Sequence, residues 1–124
     1  MEAKRLQHAV DDRGMEIYDY IVNNVPAIEP ELPDLIERLN ECDISGQFLA
    51  STARFLSGVE PERFRDHVSR LIEFTISKDR ERKYIGSLLA AIWGEDYLER
   101  AEELRDADDN FRRIYRRVYG SNGI

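Results

Sequence analysis

The chain has 124 residues, of which 42% are hydrophobic and 35% are charged, and its formal net charge is −7. This composition excludes a disordered chain, and the length suits one domain with its own core. The longest apolar run, Leu88 to Trp93, has six residues, whereas a helix that spans a bilayer needs about 20. We therefore expect a cytoplasmic protein without membrane contact, and the single cysteine, Cys42, agrees with a reducing compartment.

The negative charge is concentrated in the first half of the chain. Residues 1–60 contain 12 acidic and 5 basic residues, whereas residues 61–124 contain 13 of each. An acidic surface repels nucleic-acid phosphates and attracts basic protein surfaces. The candidate partner-binding acids are Asp11, Asp12, Glu16 and Asp19. The alternative is that this charge serves solubility alone.

The first predicted helix runs from about Glu2 to Asn24, because apolar residues recur there at spacings of four and seven. Gly14 falls on the same apolar stripe. A glycine inside a helix costs about 0.5 to 1 kcal/mol relative to alanine. It therefore marks either a break in the helix or a place where another helix approaches closely.

Prolines and capping residues divide the next part of the chain. Pro26 and Pro30 are predicted to bracket an extended linker, and Pro33 suits the first turn of a short second helix. Asp43 or Ser45 is predicted to cap the third helix, because both residue types accept hydrogen bonds from the first free N–H groups of a helix.

Three further residues set the predicted limits of the third, fourth and fifth helices. Gly58 is predicted to end the third helix, Pro61 to begin the fourth and Ser77 to cap the fifth. Because the segment from Leu88 to Trp93 has no polar side, the fifth helix is predicted to be the central and most buried one. Trp93 is its heaviest anchor.

The chain after residue 94 has an approximately heptad apolar pattern that is interrupted at residues 106–110. These five residues favour helix caps, so we expect either a junction between two helices or one helix that loses its contact there. Asp106, Asp108 and Asn110 also imitate the first ligands of a calcium loop. Phe111 stands where that loop needs glycine, and Arg117 where it needs glutamate, so we expect no metal and no cofactor.

These patterns together predict an all-α fold of five to six amphipathic helices, because no segment has the alternation of a strand. Residues 1–119 are predicted to form a single helical domain and residues 120–124 a flexible C-terminal tail. The helices form either a compact bundle or a short stack of helix pairs.

A weak internal repeat bears on the choice between bundle and stack. Residues 35–38 resemble residues 71–74 at an offset of 36, and residues 46–49 resemble residues 86–89 at an offset of 40. Helical repeats have periods in this range. Shared helix composition also produces such similarities, so both architectures stay open.

The sharpest polar feature is a basic amphipathic helix predicted at residues 111–119. Its candidate binding residues are Arg112, Arg113, Arg116 and Arg117. They could contact nucleic acid, an anionic membrane or an acidic partner helix. The alternative is structural: Asp108 and Asp109 are placed for pairing with arginines one turn later, and cations at a helix C-terminus offset its dipole.

No catalytic, phosphate-binding or cofactor motif is complete, and the glycines are scattered. We therefore expect no enzyme but a non-catalytic protein-binding module, either an adaptor or a small acidic inhibitor or neutralising protein. Its expected partner is a basic protein, with a homodimer as an alternative. The alternative function is a nucleic-acid-associated accessory factor that uses the arginine-rich helix, and a small helical enzyme is the third class.

Overall fold

The structure, a computed structural model, describes the backbone of residues 2–120 and the side chains of residues 13–120. Within that span the chain is all-helical and contains no strand. The α-helices are α1 (Glu2–Asn23), α2 (Leu32–Cys42), α3 (Gln47–Val59), α4 (Arg65–Lys78), α5 (Ile85–Trp93), α6 (Ala101–Ala107) and α7 (Asp109–Val118). The predicted all-α class is confirmed. Most of the predicted tail, residues 121–124, lies outside the described residues.

The predicted count of five to six helices is too low, because the chain after residue 94 forms two helices. Asp108 separates α6 from α7, and its Oδ1 accepts a hydrogen bond from the backbone N–H of Phe111 at 3.2 Å. Its Oδ2 accepts another from Trp93 Nε1 at 2.9 Å. The Asp108 carboxylate thus caps α7 at the predicted junction and also binds Trp93, the last residue of α5.

The linker between α1 and α2 is not extended as predicted. It consists of two 3-10 turns, Val25–Ala27 and Glu29–Glu31, each with a proline near its start. The fixed φ of proline suits such a turn as well as it suits an extended chain. Arg63 donates to two carbonyls of the first turn, and Ile28 between the turns is fully buried.

Two buried aspartates hold the starts of α3 and α5. Asp43 Oδ2 accepts from the N–H of Leu49 at 2.8 Å, and Asp79 Oδ2 accepts from that of Ile85 at 2.8 Å. Of the two predicted caps, Asp43 and Ser45, Asp43 thus accepts hydrogen bonds from the start of α3, although Gly46 is the residue directly before this helix. The predicted cap at Ser77 is wrong, because Ser77 lies inside α4, and the buried carboxylate two residues later takes the capping role.

The two aspartates are 36 residues apart, which is one of the two offsets seen in the sequence. Three residues after each of them the backbone has a positive φ, +93° at Gly46 and +60° at Arg82. The same spacing relates Phe64 to Arg100, the residues that precede α4 and α6. The similarity at an offset of 40 has no structural counterpart, because Gly46 precedes α3 whereas Gly86 lies within α5.

Most contacts between helices join helices that are one or two positions apart in the chain. α1 contacts α2 and α3, α3 also contacts α4 and α5, and α7 contacts α4, α5 and α6. Gly14 is the point where α1 meets α3, because a Cβ there would lie 2.7 Å from Phe48 Cδ2. Close approach, not a break in the helix, therefore explains this glycine.

The fifth helix is less buried than its sequence predicts. Leu88 and Leu89 are buried, but Ala91 is exposed and Trp93 is only partly buried. The most extensive contact between two helices is instead that of α3 with α4. The small side chains at residues 90 and 91 explain the difference, because exposing alanine loses little apolar contact. No helix of the described residues is long and apolar enough to cross a bilayer.

Candidate functional site

A groove of about 430 Å³ runs between α1 and α2. Ile17 and Leu35, both partly buried, form its apolar part. The exposed ring of Tyr20 lies beside them. The remaining lining residues are charged: Glu16, Glu31, Asp34 and Arg38. The helical spacing of α1 places residues 16, 17 and 20 on one face, which the packing of α1 on α2 turns towards the groove.

The groove carries three carboxylates and one cation. Arg38 Nε lies 3.0 Å from Asp34 Oδ2, so this pair is neutral together. Glu31 Oε1 accepts a hydrogen bond from Tyr20 Oη at 2.7 Å, and this bond raises the pKa of Tyr20 above its usual value. Neither Glu16 nor Glu31 has an ion-pair partner among the described side chains. Two carboxylates are therefore available to a cation from outside.

The four predicted acids have different positions relative to this groove. Glu16 lines it. Asp19 is exposed on α1 but does not line the groove, and the side chains of Asp11 and Asp12 lie outside the described residues. Sequence reasoning missed Glu31 and Asp34, which come from the proline-rich turn and from α2. Their acidity was visible, but only packing brings them to α1.

The four predicted arginines of α7 differ in their exposure and in their partners. Arg117 is partly buried, and its guanidinium donates to the backbone oxygens of Ile76, Asp79 and Arg80, which end α4. Arg112 forms an ion pair with Asp109 and donates to the backbone oxygen of Arg105. Arg112 and Arg117 therefore have partners within the chain, and the ion pair of Arg112 is of the intrahelical kind that the alternative interpretation predicted.

Arg113 and Arg116 are exposed, and no described carboxylate lies within ion-pair distance of them. Arg80 and Arg82, in the turn before α5, are also exposed and have no described carboxylate within ion-pair distance. Arg82 donates to the backbone oxygen of Arg117 at 3.0 Å, so this turn adjoins the end of α7. We call these four arginines the basic end. The sequence shows both clusters but not that they meet.

Tyrosine rings adjoin the basic end. The hydroxyls of Tyr97 and Tyr119 lie 2.7 Å apart, and this hydrogen bond is the main cause that raises the pKa of Tyr97 to about 12. The ring centroids of Tyr115 and Tyr119 are 5.0 Å apart, and the guanidinium of Arg105 lies over the Tyr115 ring at 5.3 Å. Tyrosine and arginine together are typical of protein interfaces.

A second concavity, of about 370 Å³, lies where α4 meets the end of α5 and the α6–α7 junction. Its deepest polar groups bond mainly to one another. Trp93 Nε1 donates to Asp108, and Asn110 Nδ2 donates to the backbone and hydroxyl oxygens of Ser69. These bonds stabilise the junction between the helices.

The described residues contain no group of three or more His, Cys, Asp or Glu side chains that could hold a metal ion. Cys42 is buried, and burial is the main cause that raises the pKa of its thiol, followed by the charge of Asp43. A thiol with a raised pKa is a poor nucleophile at neutral pH. Comparisons of the chain with protein-family models, with curated proteins and with solved structures found no match.

Proposed function

We propose that this chain is a non-catalytic protein-binding module, an adaptor or a small acidic inhibitor or neutralising protein, that binds a basic segment of a partner in the α1–α2 groove. The observation that carries this proposal is the combination of apolar and acidic groups in one groove. Ile17 and Leu35 provide apolar surface beside the available carboxylates of Glu16 and Glu31.

Lysine and arginine side chains suit such a groove. Their hydrocarbon stems cover apolar surface while the charged group reaches a carboxylate. Arginine can in addition bind a carboxylate through two hydrogen bonds, and its planar group can lie over an exposed ring such as that of Tyr20. The net charge of −7 adds long-range attraction, which raises the rate of association with a basic partner.

The architecture supports the same function. Contacts that mostly join helices one or two positions apart in the chain, together with the spacing of 36 residues, favour a short stack of helix pairs over a closed bundle. Stacks of helix pairs present extended surfaces, and many bind proteins through them. A binding role also needs no catalytic group, which agrees with the sequence.

A nucleic-acid-associated factor is the second candidate. The basic end favours it, because Arg80, Arg82, Arg113 and Arg116 are exposed together. Two observations make it less favoured than protein binding. Arg112 and Arg117 are already bonded within the chain, and the overall negative charge repels phosphate.

The proposal is tested with a fluorescent amphipathic peptide of lysine and leucine, whose binding is followed by anisotropy. We expect binding that weakens between about 0.05 and about 0.5 M salt, because screening reduces attraction between exposed charges. The variant Glu16→Lys/Glu31→Lys should bind about tenfold more weakly or worse, with its helix content checked by circular dichroism.

The matched control is Glu102→Lys/Glu103→Lys, which changes the net charge equally at two exposed residues of α6. It should bind the peptide within about twofold of the unmodified protein. Equal loss in both variants would show that net charge, not the groove, attracts the peptide. Tighter binding of a labelled single-stranded oligonucleotide than of the peptide would favour the second candidate.

A further inference from the structure

We infer that a second copy of this chain is a partner for the groove, with the basic end of one copy bound in the α1–α2 groove of another. This inference rests on the proposed function and names the source of the basic segment. The two surfaces lie on different helices, α1 and α2 for the groove and α7 with the preceding turn for the basic end. In the described structure α1 has no extended contact with α5, α6 or α7, so one copy does not join its own two surfaces.

The charged groups of the two surfaces are complementary in number and kind. Arg113 and Arg116 are three residues apart, so their side chains leave neighbouring positions on the same side of α7. Both are exposed, and both lack an ion-pair partner among the described residues. In the groove, Glu16 and Glu31 are likewise exposed and lack an ion-pair partner among the described residues. Two guanidinium groups therefore meet two carboxylates.

The surroundings of these charges also suit a protein interface. Tyr119 is 41% exposed beside the basic end, and Leu98, next to Tyr97, is 55% exposed. On the groove side, Tyr20 is 42% exposed. Large exposed side chains of this kind, surrounded by charged groups, are typical of surfaces that bind another protein.

The contact joins two different surfaces, so each copy has one groove and one basic end to offer. Two copies can exchange these surfaces reciprocally and close a two-fold dimer, or successive copies can continue in a row. Both assemblies place the same residues in contact. Both also hide the groove, so a basic partner must compete with the second copy for it.

Sedimentation measurements on the full chain test this inference through two charge reversals. One variant is Glu16→Lys/Glu31→Lys, which makes the groove basic, and the other is Arg113→Glu/Arg116→Glu, which makes the basic end acidic. The unmodified protein should increase in mass between about 10 µM and about 1 mM at about 0.1 M salt, which screens the long-range repulsion between two copies of net charge −7, and return to monomer at about 1 M salt. Each variant alone should stay monomeric over the same range.

The decisive sample is an equimolar mixture of the two variants. The acidic groove of one then meets the basic end of the other, and the reversed surfaces also match, so the mixture should associate about as the unmodified protein does. The control Glu102→Lys/Glu103→Lys should associate normally. A monomer at every concentration, or association that neither reversal changes, would overturn this inference. Peptide binding by a strictly monomeric protein would leave the proposed function intact.

Discussion

Asp79 takes, 36 residues further along the chain, the role that Asp43 has before α3. Each side chain follows the end of a helix, is less than 5% exposed and accepts backbone hydrogen bonds from the start of the next helix. A cation from a later helix binds each backbone carbonyl: Lys78 at Asp43 and Arg117 at Asp79. The α2–α3 and α4–α5 connections therefore share the same two features, a buried aspartate and a cation bound to its backbone carbonyl.

This relationship predicts that Asp43→Ala and Asp79→Ala each destabilise the fold by about 1 to 3 kcal/mol, because buried N–H groups lose their acceptor. Denaturation in urea, followed by circular dichroism, measures the loss. The control Asp106→Ala removes an exposed carboxylate from α6 and should stay within about 0.5 kcal/mol of the unmodified protein. Equal effects at all three positions would contradict the capping role.

Gly14 and Gly58, two of the helical glycines, should respond to alanine in opposite directions. A Cβ at Gly14 would lie 2.7 Å from Phe48, whereas one at Gly58 meets nothing within 4 Å. Gly14→Ala should lower stability by about 1 kcal/mol, because overpacking exceeds the gain in helix propensity. Gly58→Ala should raise stability by about 0.5 to 1 kcal/mol. Thermal unfolding of both variants checks the pair, and stabilisation at Gly14 would contradict the close approach of α1 to α3.

The all-α class and most helix limits could be predicted from the sequence, because apolar periodicity and capping chemistry act locally. Errors arose where two residues offered similar local chemistry. Ser77 and Asp79 are both good caps, and only the buried position of Asp79 decides between them. The linker was predicted wrongly because the restricted φ of proline is compatible with a 3-10 turn as well as with an extended chain.

The candidate site was less predictable, because it joins residues that are distant in the sequence. Glu16 stood out within an acidic run, but Glu31 reaches the same groove only through the packing of α1 on α2. In the sequence, nothing distinguishes Arg117 from the other arginines of α7. In the structure, its guanidinium donates hydrogen bonds to the backbone oxygens at the end of α4. The periodicity of a helix predicts on which side of that helix a residue lies. It does not predict which other helix packs against that side.

Leu89 tests the packing of α5. It is 1% exposed, so Leu89→Ala should destabilise the fold by about 2 to 5 kcal/mol through lost burial and a cavity. Leu98→Ala makes the same change at a side chain that is 55% exposed and should cost less than about 0.5 kcal/mol. Chemical denaturation of both variants gives the comparison. A loss under about 0.5 kcal/mol at Leu89 would place α5 at the periphery.

The hydrogen bond between Tyr97 and Tyr119 predicts an alkaline dependence of stability. This bond is the main cause that raises the pKa of Tyr97 from 10.0 to about 12 in the folded protein. The folded state therefore holds the phenolic proton more tightly than the unfolded state does. The resulting stabilisation is fully present below pH 10.0 and is lost as the pH rises through about 12.

Absorbance of tyrosinate, measured against pH, tests this prediction with two variants. The folded protein should have a titration step near pH 12 that is missing in Tyr97→Phe. In Tyr119→Phe the step should move down towards the ordinary value of 10.0, because Tyr97 has lost its partner. Both variants should also lose less stability than the unmodified protein between pH 10.0 and about 12, as urea denaturation at fixed pH measures. If the unmodified protein has no titration step near pH 12, the two hydroxyls do not bond in solution.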